Sequence, residues 1–370
     1  MAPVLSLLAV GLMVMEGALA HPGHDVAQEA AERGNWLRTR SPKSVRDCAS
    51  QLRKRGHLEN SIARRQAMAD KARVKRNLPQ LVARDFATYN ISHTSDKDVT
   101  LGADELELFD DNSSCALQPE VTQGPYYVDG ELIRSDKTDG EAGVPLFLDV
   151  LIIDTSTCEP IPAVFMDVWH CNATGVYSSV SASGNGNSAD TTNLDNTALR
   201  GIQQTDFNGV AQFETIAPGH YTGRAPHIHI LTHNTNETII RTNGTLLGSN
   251  QTTSASHVGQ IFFDQDLLTA VSETAPYNTN TQELTTNADD SILIQETADM
   301  DPFVEYVYVN PDNIADGILA WVRLGIDPTA DDSISSAAAI YKTGGVANEN
   351  SHMGGGPGGD NDTGMGAPPS

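Results

Sequence analysis

The spacing of apolar residues changes along the chain. Between residues 41 and 84, apolar side chains recur three or four positions apart in a polar, basic background, which predicts two helices, over 44–52 and 58–76, interrupted near Gly56. From Cys115 onward, short apolar runs alternate with clusters of turn-forming residues, which predicts the strands of a β sandwich. The predicted strands include 145–153, 163–169, 210–213, 227–233 and 260–263, and the run 317–324 is interpreted as a short helix.

These patterns divide the chain into four regions. Residues 1–20 are typical of a secretory signal peptide, because an apolar stretch too short to span a bilayer is followed by the small-residue sequence Ala18-Leu19-Ala20. Residues 21–110 are predicted to be a helical and linker region, and residues 111–343 a β-sandwich catalytic domain. Residues 344–370, rich in Gly, Asn, Asp and Pro, are predicted to be a disordered tail.

The basic pairs of the N-terminal region, among them Arg64-Arg65, have two interpretations. They are expected to lie on solvated helix faces, and the alternative is that they are processing sites.

The candidate chemistry is concentrated on one predicted strand. His227 and His229 are two residues apart, so that in an extended strand both imidazoles point to the same side and can reach one metal ion, while Ile228 faces the opposite way. Tyr221 follows a Pro-Gly turn that can direct its ring back towards that side. Tyr177, at the end of an upstream strand-like segment, supplies a second phenol.

An ordered set of residues, each in its own local motif, resembles the intradiol ring-cleaving dioxygenases: Tyr177, Tyr221, Arg224, His227, His229 and Gln260. The resemblance runs from about residue 124 to residue 263 and is closest over 199–229. It implies a mainly β sandwich of the intradiol type, here with a helical N-terminal extension. It also implies a non-haem Fe(III) cofactor and an enzyme that uses O2 to cleave a small aromatic diol between its two hydroxylated carbons, which gives a muconate-type diacid.

The resemblance assigns the four rings to the metal. Tyr177 and His227 would be the equatorial ligands that stay bound, whereas Tyr221 and His229 would be axial, with Tyr221 displaced by the substrate. Independently of the resemblance, two phenolate and two imidazole donors suit trivalent iron better than Mg²⁺ or Ca²⁺, which prefer oxygen ligands throughout.

The resemblance also assigns roles around the substrate. Arg224 would lie over the bound ring and stabilise negative charge that develops there, since a guanidinium keeps its charge and presents a planar face. Gln260 would assist at the oxygenated stage of the reaction, and Pro125 and Tyr126 would line the substrate pocket. In catechol-type relatives an N-terminal helical element makes dimer contacts, so a homodimer is compatible with this chain.

The formal net charge of -25 is unevenly placed. Residues 1–84 hold 15 Lys and Arg against 7 Asp and Glu, whereas residues 85–370 hold 8 against 41. An acidic main body repels nucleic acid and anionic lipid, which argues against both as partners. It leads to the hypothesis that neutral aromatic substrates are favoured over polyanions.

Two further features agree with secretion. Seven asparagines lie in N-x-Ser/Thr sequons, namely Asn90, Asn112, Asn172, Asn236, Asn243, Asn250 and Asn361, so the protein is expected to be glycosylated. Four cysteines, Cys48, Cys115, Cys158 and Cys171, predict two disulfides whose pairing stays open among three possibilities. The alternative function is a non-catalytic secreted β sandwich that binds glycans, which leaves the tyrosine–histidine set unexplained.

Overall fold

A computed structural model describes residues 45–79, 90–91, 115–116, 126–182, 185, 190–233, 238–240, 242, 244–248, 253–255, 257–297, 301–329, 332–334, 336–341 and 343–348. The predicted signal peptide therefore lies outside the described residues. Within the described ranges the helices are α1 (Val45–Lys54), α2 (His57–Lys75), α3 (Gln265–Ser272) and α4 (Ser291–Glu296). No helix among these is long and apolar enough to cross a membrane.

The strands of the described residues are mostly short. They are β1 (Asn90–Ile91), β2 (Cys115–Ala116), β3 (Val128–Asp129), β4 (Pro145–Asp154), β5 (Phe165–Trp169), β6 (Arg200–Gln204), β7 (Val210–Ile216), β8 (His227–His233), β9 (Thr238–Ile240), β10 (Leu246–Gly248), β11 (Thr253–Ala255), β12 (His257–Phe262), β13 (Glu305–Tyr308), β14 (Ile318–Ile326), β15 (Asp332–Ile334), β16 (Ala338–Tyr341) and β17 (Gly344–Ala347).

Two sheets pack face to face and confirm the predicted mainly β sandwich. A six-stranded sheet has the order β1-β13-β14-β4-β7, with β2 also paired to β14, and a four-stranded antiparallel sheet has the order β12-β8-β5-β6. The core between them takes Leu148 and Val150 from one sheet and Val168, Ile228 and Ile230 from the other. Because alternate residues of a strand face opposite sides, β8 sends its histidines to the outer face of the four-stranded sheet.

Two sequence predictions fail at the C-terminal end. The run predicted as a helix over 317–324 is strand β14, which lies between β13 and β4 in the six-stranded sheet. Almost all of β14 is buried, so its sequence lacks the alternation that marks a half-exposed strand. Strand β17 lies inside the segment predicted to be disordered, so that prediction is wrong for residues 344–347.

Strands β16 and β17 brace an edge of the domain. They form a three-stranded sheet with β3, and the Ala337 amide donates to the Tyr127 carbonyl at 2.8 Å. The Gly345 amide donates to Asp195 Oδ1, also at 2.8 Å. A side chain at Gly345 would clash with the Leu194 carbonyl, at 1.9 Å from the added Cβ, so this approach depends on glycine.

The N-terminal helices form as predicted and are fastened to the sandwich. Gly56, which separates α1 from α2, has a φ of 76°, a left-handed conformation that glycine adopts without strain. A disulfide joins Cys48 of α1 to Cys158 after β4. Cys171 is a buried free thiol, so the prediction of two disulfides is wrong.

Helix α2 is held by a buried cation. Arg65 is fully buried, with its guanidinium carbon 4.6 Å from the ring centroid of Trp321 and its Nε 3.6 Å from Asp149 Oδ1. Arg64 donates to both oxygens of the same carboxylate, at 2.7 and 2.8 Å. The expectation that this basic pair lies on a solvated helix face is wrong, because the acidic position on β4 draws both arginines towards the sheet.

Replacing Asp149 by alanine is expected to destabilise the protein by about 3–5 kcal/mol, because it leaves the guanidinium of Arg65 buried without its carboxylate partner. Urea unfolding followed by tryptophan fluorescence measures the change in the free energy of unfolding.

The matched control is Glu159→Ala, which removes a carboxylate 2.5 Å from Arg55 at a position where both side chains are well exposed. Exposed pairs contribute about 0–1 kcal/mol, so this change should be small. Equal small effects from the two substitutions would contradict the anchoring role of Asp149.

Candidate metal centre and active site

The two histidines of β8 converge as their spacing predicts. His227 Nε2 and His229 Nε2 lie 3.1 Å apart, and Ile228 points into the core. His227 Nδ1 lies 2.7 Å from the Ala225 carbonyl oxygen. Since a carbonyl only accepts hydrogen bonds, Nδ1 carries the proton and the Nε2 lone pair faces the cluster, the arrangement that metal-binding histidines use.

Tyr177 is placed by its backbone. The Asn185 side chain accepts from the Tyr177 amide at 2.7 Å and donates to the Tyr177 carbonyl at 2.8 Å, and the Asn193 side chain donates to the same carbonyl. The approach to Tyr177 is a tight turn in which Gly175 has a φ of 82°, and a Cβ there would lie 2.2 Å from the His220 carbonyl. The asparagine hydrogen bonds and this close contact therefore fix the backbone path of the loop that carries Tyr177.

Tyr221 is placed by a close approach of two loops. Gly219 packs so tightly that a Cβ would lie 2.4 Å from the Ala173 carbonyl oxygen. The chain then turns back on itself, and Tyr221 forms an isolated antiparallel bridge with Arg224. The Tyr221 ring consequently returns to β8, with Oη 3.3 Å from His227 Nε2.

The four predicted rings meet in one buried cluster. Tyr177 Oη lies 3.4 Å from His227 Nε2 and 3.2 Å from His229 Nε2, which together with the contacts above connects all four donor atoms. The four residues are between 1% and 7% exposed. Donor atoms spaced by 3.1–3.4 Å can share one ion at the about 2.0–2.1 Å bond length typical of imidazole ligands.

The chemistry of the donors fits trivalent iron. Within the described residues, no group of three or more His, Cys, Asp and Glu side chains is placed to hold a metal, so the phenols must contribute to any site at this point. Burial raises the pKa of Tyr177 well above its usual range and raises that of Tyr221 as well, so both phenols are protonated in the absence of a cation. A highly charged ion between them would favour the phenolate forms, which are hard anionic ligands.

Arg224 and Gln260 lie beside the rings. Residue pairing between β12 and β8 sets Gln260 directly opposite His229, and the Gln260 Oε1 accepts a hydrogen bond from Arg224 Nη2. The charge of Arg224 acts on both phenols, in the direction that lowers the pKa of each. The resemblance-based set is therefore assembled in space, although its roles in a reaction stay predictions.

The predicted pocket wall is described in part. Tyr126 packs against the Tyr177 ring with centroids 5.0 Å apart, whereas Pro125 lies outside the described residues. The Arg200 guanidinium donates to the carbonyl oxygens of Tyr126 and Ser178 and to the Glu131 carboxyl group, so it ties the pocket wall to the Tyr177 loop.

Sequence reasoning missed three residues of this site. Trp169 stacks on the His229 ring, with centroids 4.8 Å apart and planes 4° apart, and it lies directly opposite His229 in the pairing of β5 with β8. Arg200 lies in the segment of strongest family resemblance, which could have drawn attention to it. Asp290 accepts from Arg224 Nε at 2.9 Å, and its only sequence signal is an aspartate placed just before a helix.

The comparisons with known proteins agree with this site. Residues 121–291 match the family model Dioxygenase_C, described as Dioxygenase. The matched segment includes every residue of the ring cluster together with Arg224 and Gln260. Comparison with curated proteins gives no match.

Solved structures similar to the chain include dioxygenases of several organisms. An intradiol ring-cleavage dioxygenase from Tetranychus urticae is 28% identical, covering 58% of this chain and 96% of that chain with a TM-score of 0.46. A catechol 1,2-dioxygenase from Acinetobacter sp. ADP1 is 18% identical, covering 61% and 69% with a TM-score of 0.37. Residues 121–291 therefore match a dioxygenase family model, and the similar solved structures named above are an intradiol ring-cleavage dioxygenase and a catechol 1,2-dioxygenase.

Proposed function

We propose that this protein is a secreted, Fe(III)-dependent enzyme that cleaves catechol-type diols between their two hydroxylated carbons and yields muconate-type diacids with O2 as co-substrate. The observation that carries the proposal is the convergence of two buried phenols and two buried imidazoles, with donor atoms 3.1–3.4 Å apart.

Tyr177, Tyr221, His227 and His229 would hold the iron. When bound, Fe(III) would act as a Lewis acid that favours the deprotonated catechol and makes it reactive towards O2. Two phenolates offset two of the three positive charges, which matters because uncompensated charge in a buried site is unfavourable.

The phenol of Tyr221 is suited to accept a proton from the substrate. Burial raises its pKa, so that its oxygen would readily hold a proton given up by an arriving diol. Tyr177 lacks this freedom, because two asparagine side chains fix its backbone and its Oη contacts both histidines. This difference supports Tyr221, rather than Tyr177, as the ligand that substrate displaces.

Arg224, Gln260 and Tyr126 would act on the substrate itself. The buried guanidinium of Arg224 would stabilise negative charge on the ring in an environment that excludes water. Gln260, whose amide oxygen accepts from Arg224, would assist at the oxygenated stage of the reaction. Tyr126 would pack against the aromatic face of the substrate beside Tyr177.

Secretion rests on the signal-like residues 1–20 and the sequons, and the disulfide between Cys48 and Cys158 supports it. Disulfides persist in oxidising compartments and are rare in the cytosol.

Purified protein loaded with Fe(III) is expected to be reddish, because tyrosinate-to-iron charge transfer absorbs visible light. Tyr177→Phe and Tyr221→Phe should each shift or weaken this band, and each should lower turnover of catechol by at least about 100-fold, the scale of losing a group at the reacting centre. Visible spectra at matched iron content measure the first effect and oxygen uptake the second.

The matched control is Tyr308→Phe, which removes a phenol from a partly buried position on β13, outside the cluster. It should leave both the colour and the activity unchanged. Colourless wild-type protein with one iron per chain would contradict the ligand assignment.

Plain catechol is expected to be a better substrate than catechol bearing a ring carboxylate, by about tenfold or more in kcat/KM. The domain around the site is strongly acidic, so a carboxylated ring is repelled where a neutral catechol is not.

Steady-state oxygen uptake with the two substrates measures this preference. Raising the ionic strength should narrow the gap, since salt screens the acidic surface. Equal kcat/KM values at low salt would contradict the charge argument while leaving the ring-cleaving function intact.

A further inference from the structure

Asp290 is a fully buried carboxylate that the proposed reaction does not use. Its Oδ2 accepts from Arg224 Nε at 2.9 Å and from the Ala225 amide at 2.8 Å. Its Oδ1 accepts from the amides of Ile292 and Leu293, at 2.9 and 3.0 Å. One side chain therefore joins the start of helix α4 to the residue predicted to lie over the substrate.

The two oxygens serve different purposes. Oδ1 caps the first turn of α4, a common use of aspartate at a helix start. Oδ2 holds the Nε edge of the Arg224 guanidinium, which leaves a terminal nitrogen directed to Gln260. Since guanidinium is planar, fixing Nε and one Nη fixes the plane of the group.

The contact to Ala225 extends the effect to the metal ligands. The Ala225 carbonyl accepts a hydrogen bond from Nδ1 of His227, and the Ala225 amide donates one to Asp290. The same peptide segment that presents His227 to the cluster is thus held by the carboxylate that holds Arg224.

The opposite charges of Arg224 and Asp290 make their pairing important for stability. Both side chains of the pair are fully buried, where a guanidinium without a carboxylate partner would be strongly unfavourable. Burial by itself lowers the pKa of Arg224, but the Asp290 carboxylate more than offsets this and raises it.

We propose that Asp290 is a positioning residue for ring cleavage, which sets the orientation of the Arg224 guanidinium over the substrate. This role rests on the proposed function. It differs from helix capping alone, because a cap needs Oδ1 but not the contacts that Oδ2 makes.

The test begins with Asp290→Asn. Asparagine offers one oxygen in place of two and has no charge, so the contact with Arg224 loses its carboxylate. Turnover per bound iron is expected to fall about 10- to 100-fold, the scale of a misplaced catalytic group, whereas KM for catechol should change little.

The matched control is Asp264→Asn. Asp264 also precedes a helix and accepts from the Leu267 amide at 2.7 Å, but its neighbour is Tyr306 on the other sheet instead of Arg224. It should lose helix-cap stability without losing turnover. Turnover per iron in Asp290→Asn within twofold of this control would overturn the inference.

A double-mutant cycle with Arg224→Met separates positioning from folding. If Asp290 acts through Arg224, Asp290→Asn lowers kcat in the wild-type background but has no further effect in Arg224→Met. Equal fold-losses in both backgrounds would mean that Asp290 is merely structural, and would overturn the inference.

Thermal unfolding of the metal-free proteins gives a readout that does not depend on activity. Asp290→Asn should lower the unfolding midpoint of the wild type, yet raise or leave unchanged that of Arg224→Met, where the carboxylate is already uncompensated. Equal decreases in the two backgrounds would overturn the pairing.

Failure of the proposed function has a different signature. Iron-loaded wild-type protein that takes up no oxygen with catechol would overturn the ring-cleaving function, and the role of Asp290 in turnover with it. Active wild type with unaffected Asp290→Asn would overturn the inference about Asp290 alone.

Discussion

The site depends on bringing four aromatic donors from separate stretches of chain to within 3.1–3.4 Å of one another in the dry interior. The sheet positions two of the four donors. Strand β8 is hydrogen-bonded on both sides, by β12 and β5, and holds His227 and His229 on one face. The phenols come from loops, which have no such ladder. Their positions are fixed instead by asparagine side chains around Tyr177 and by the close packing of Gly219 before Tyr221.

Much of the fold follows from local sequence. Alternation in β8 and β5 predicts which residues face the core, and Gly56 marks the break between the two N-terminal helices, as the structure has them. The two failures at the C-terminal end have one physical cause. Strand β14 is buried on both faces, so its sequence shows no alternation of apolar and polar residues. Strand β17 is rich in glycine, which does not favour a strand, and it forms because it pairs with β16. In both places tertiary context overrides local pattern.

The residues of the site also differ in how far the sequence predicts them. The tyrosines, histidines, Arg224 and Gln260 were predictable because each stands in a recognisable local motif, and the structure brings them together. The groups that hold them were not. Asp290 is 66 residues from Arg224, and nothing near either residue in sequence encodes the pairing. Such partners are chosen by the geometry of the folded chain, so a motif identifies the reacting groups more readily than their supports.

Several of the residues that hold the structure in place form the same kind of contact, a buried arginine beside a buried carboxyl group. Arg65 meets Asp149, Arg200 meets Glu131 and Arg224 meets Asp290, and all six side chains are almost fully buried. Each pair joins two separate segments: helix α2 to the sandwich, strand β6 to the segment that follows β3, and a candidate catalytic arginine to the start of helix α4. Hydrophobic residues of similar volume could fill these places at comparable stability. They could not fix a direction, because apolar contact is nondirectional whereas a guanidinium and a carboxyl group meet in few orientations. A buried ion pair can therefore hold a charged group in the orientation that a substrate requires. The pair of Arg224 with Asp290 is the one that lies closest to the proposed chemistry.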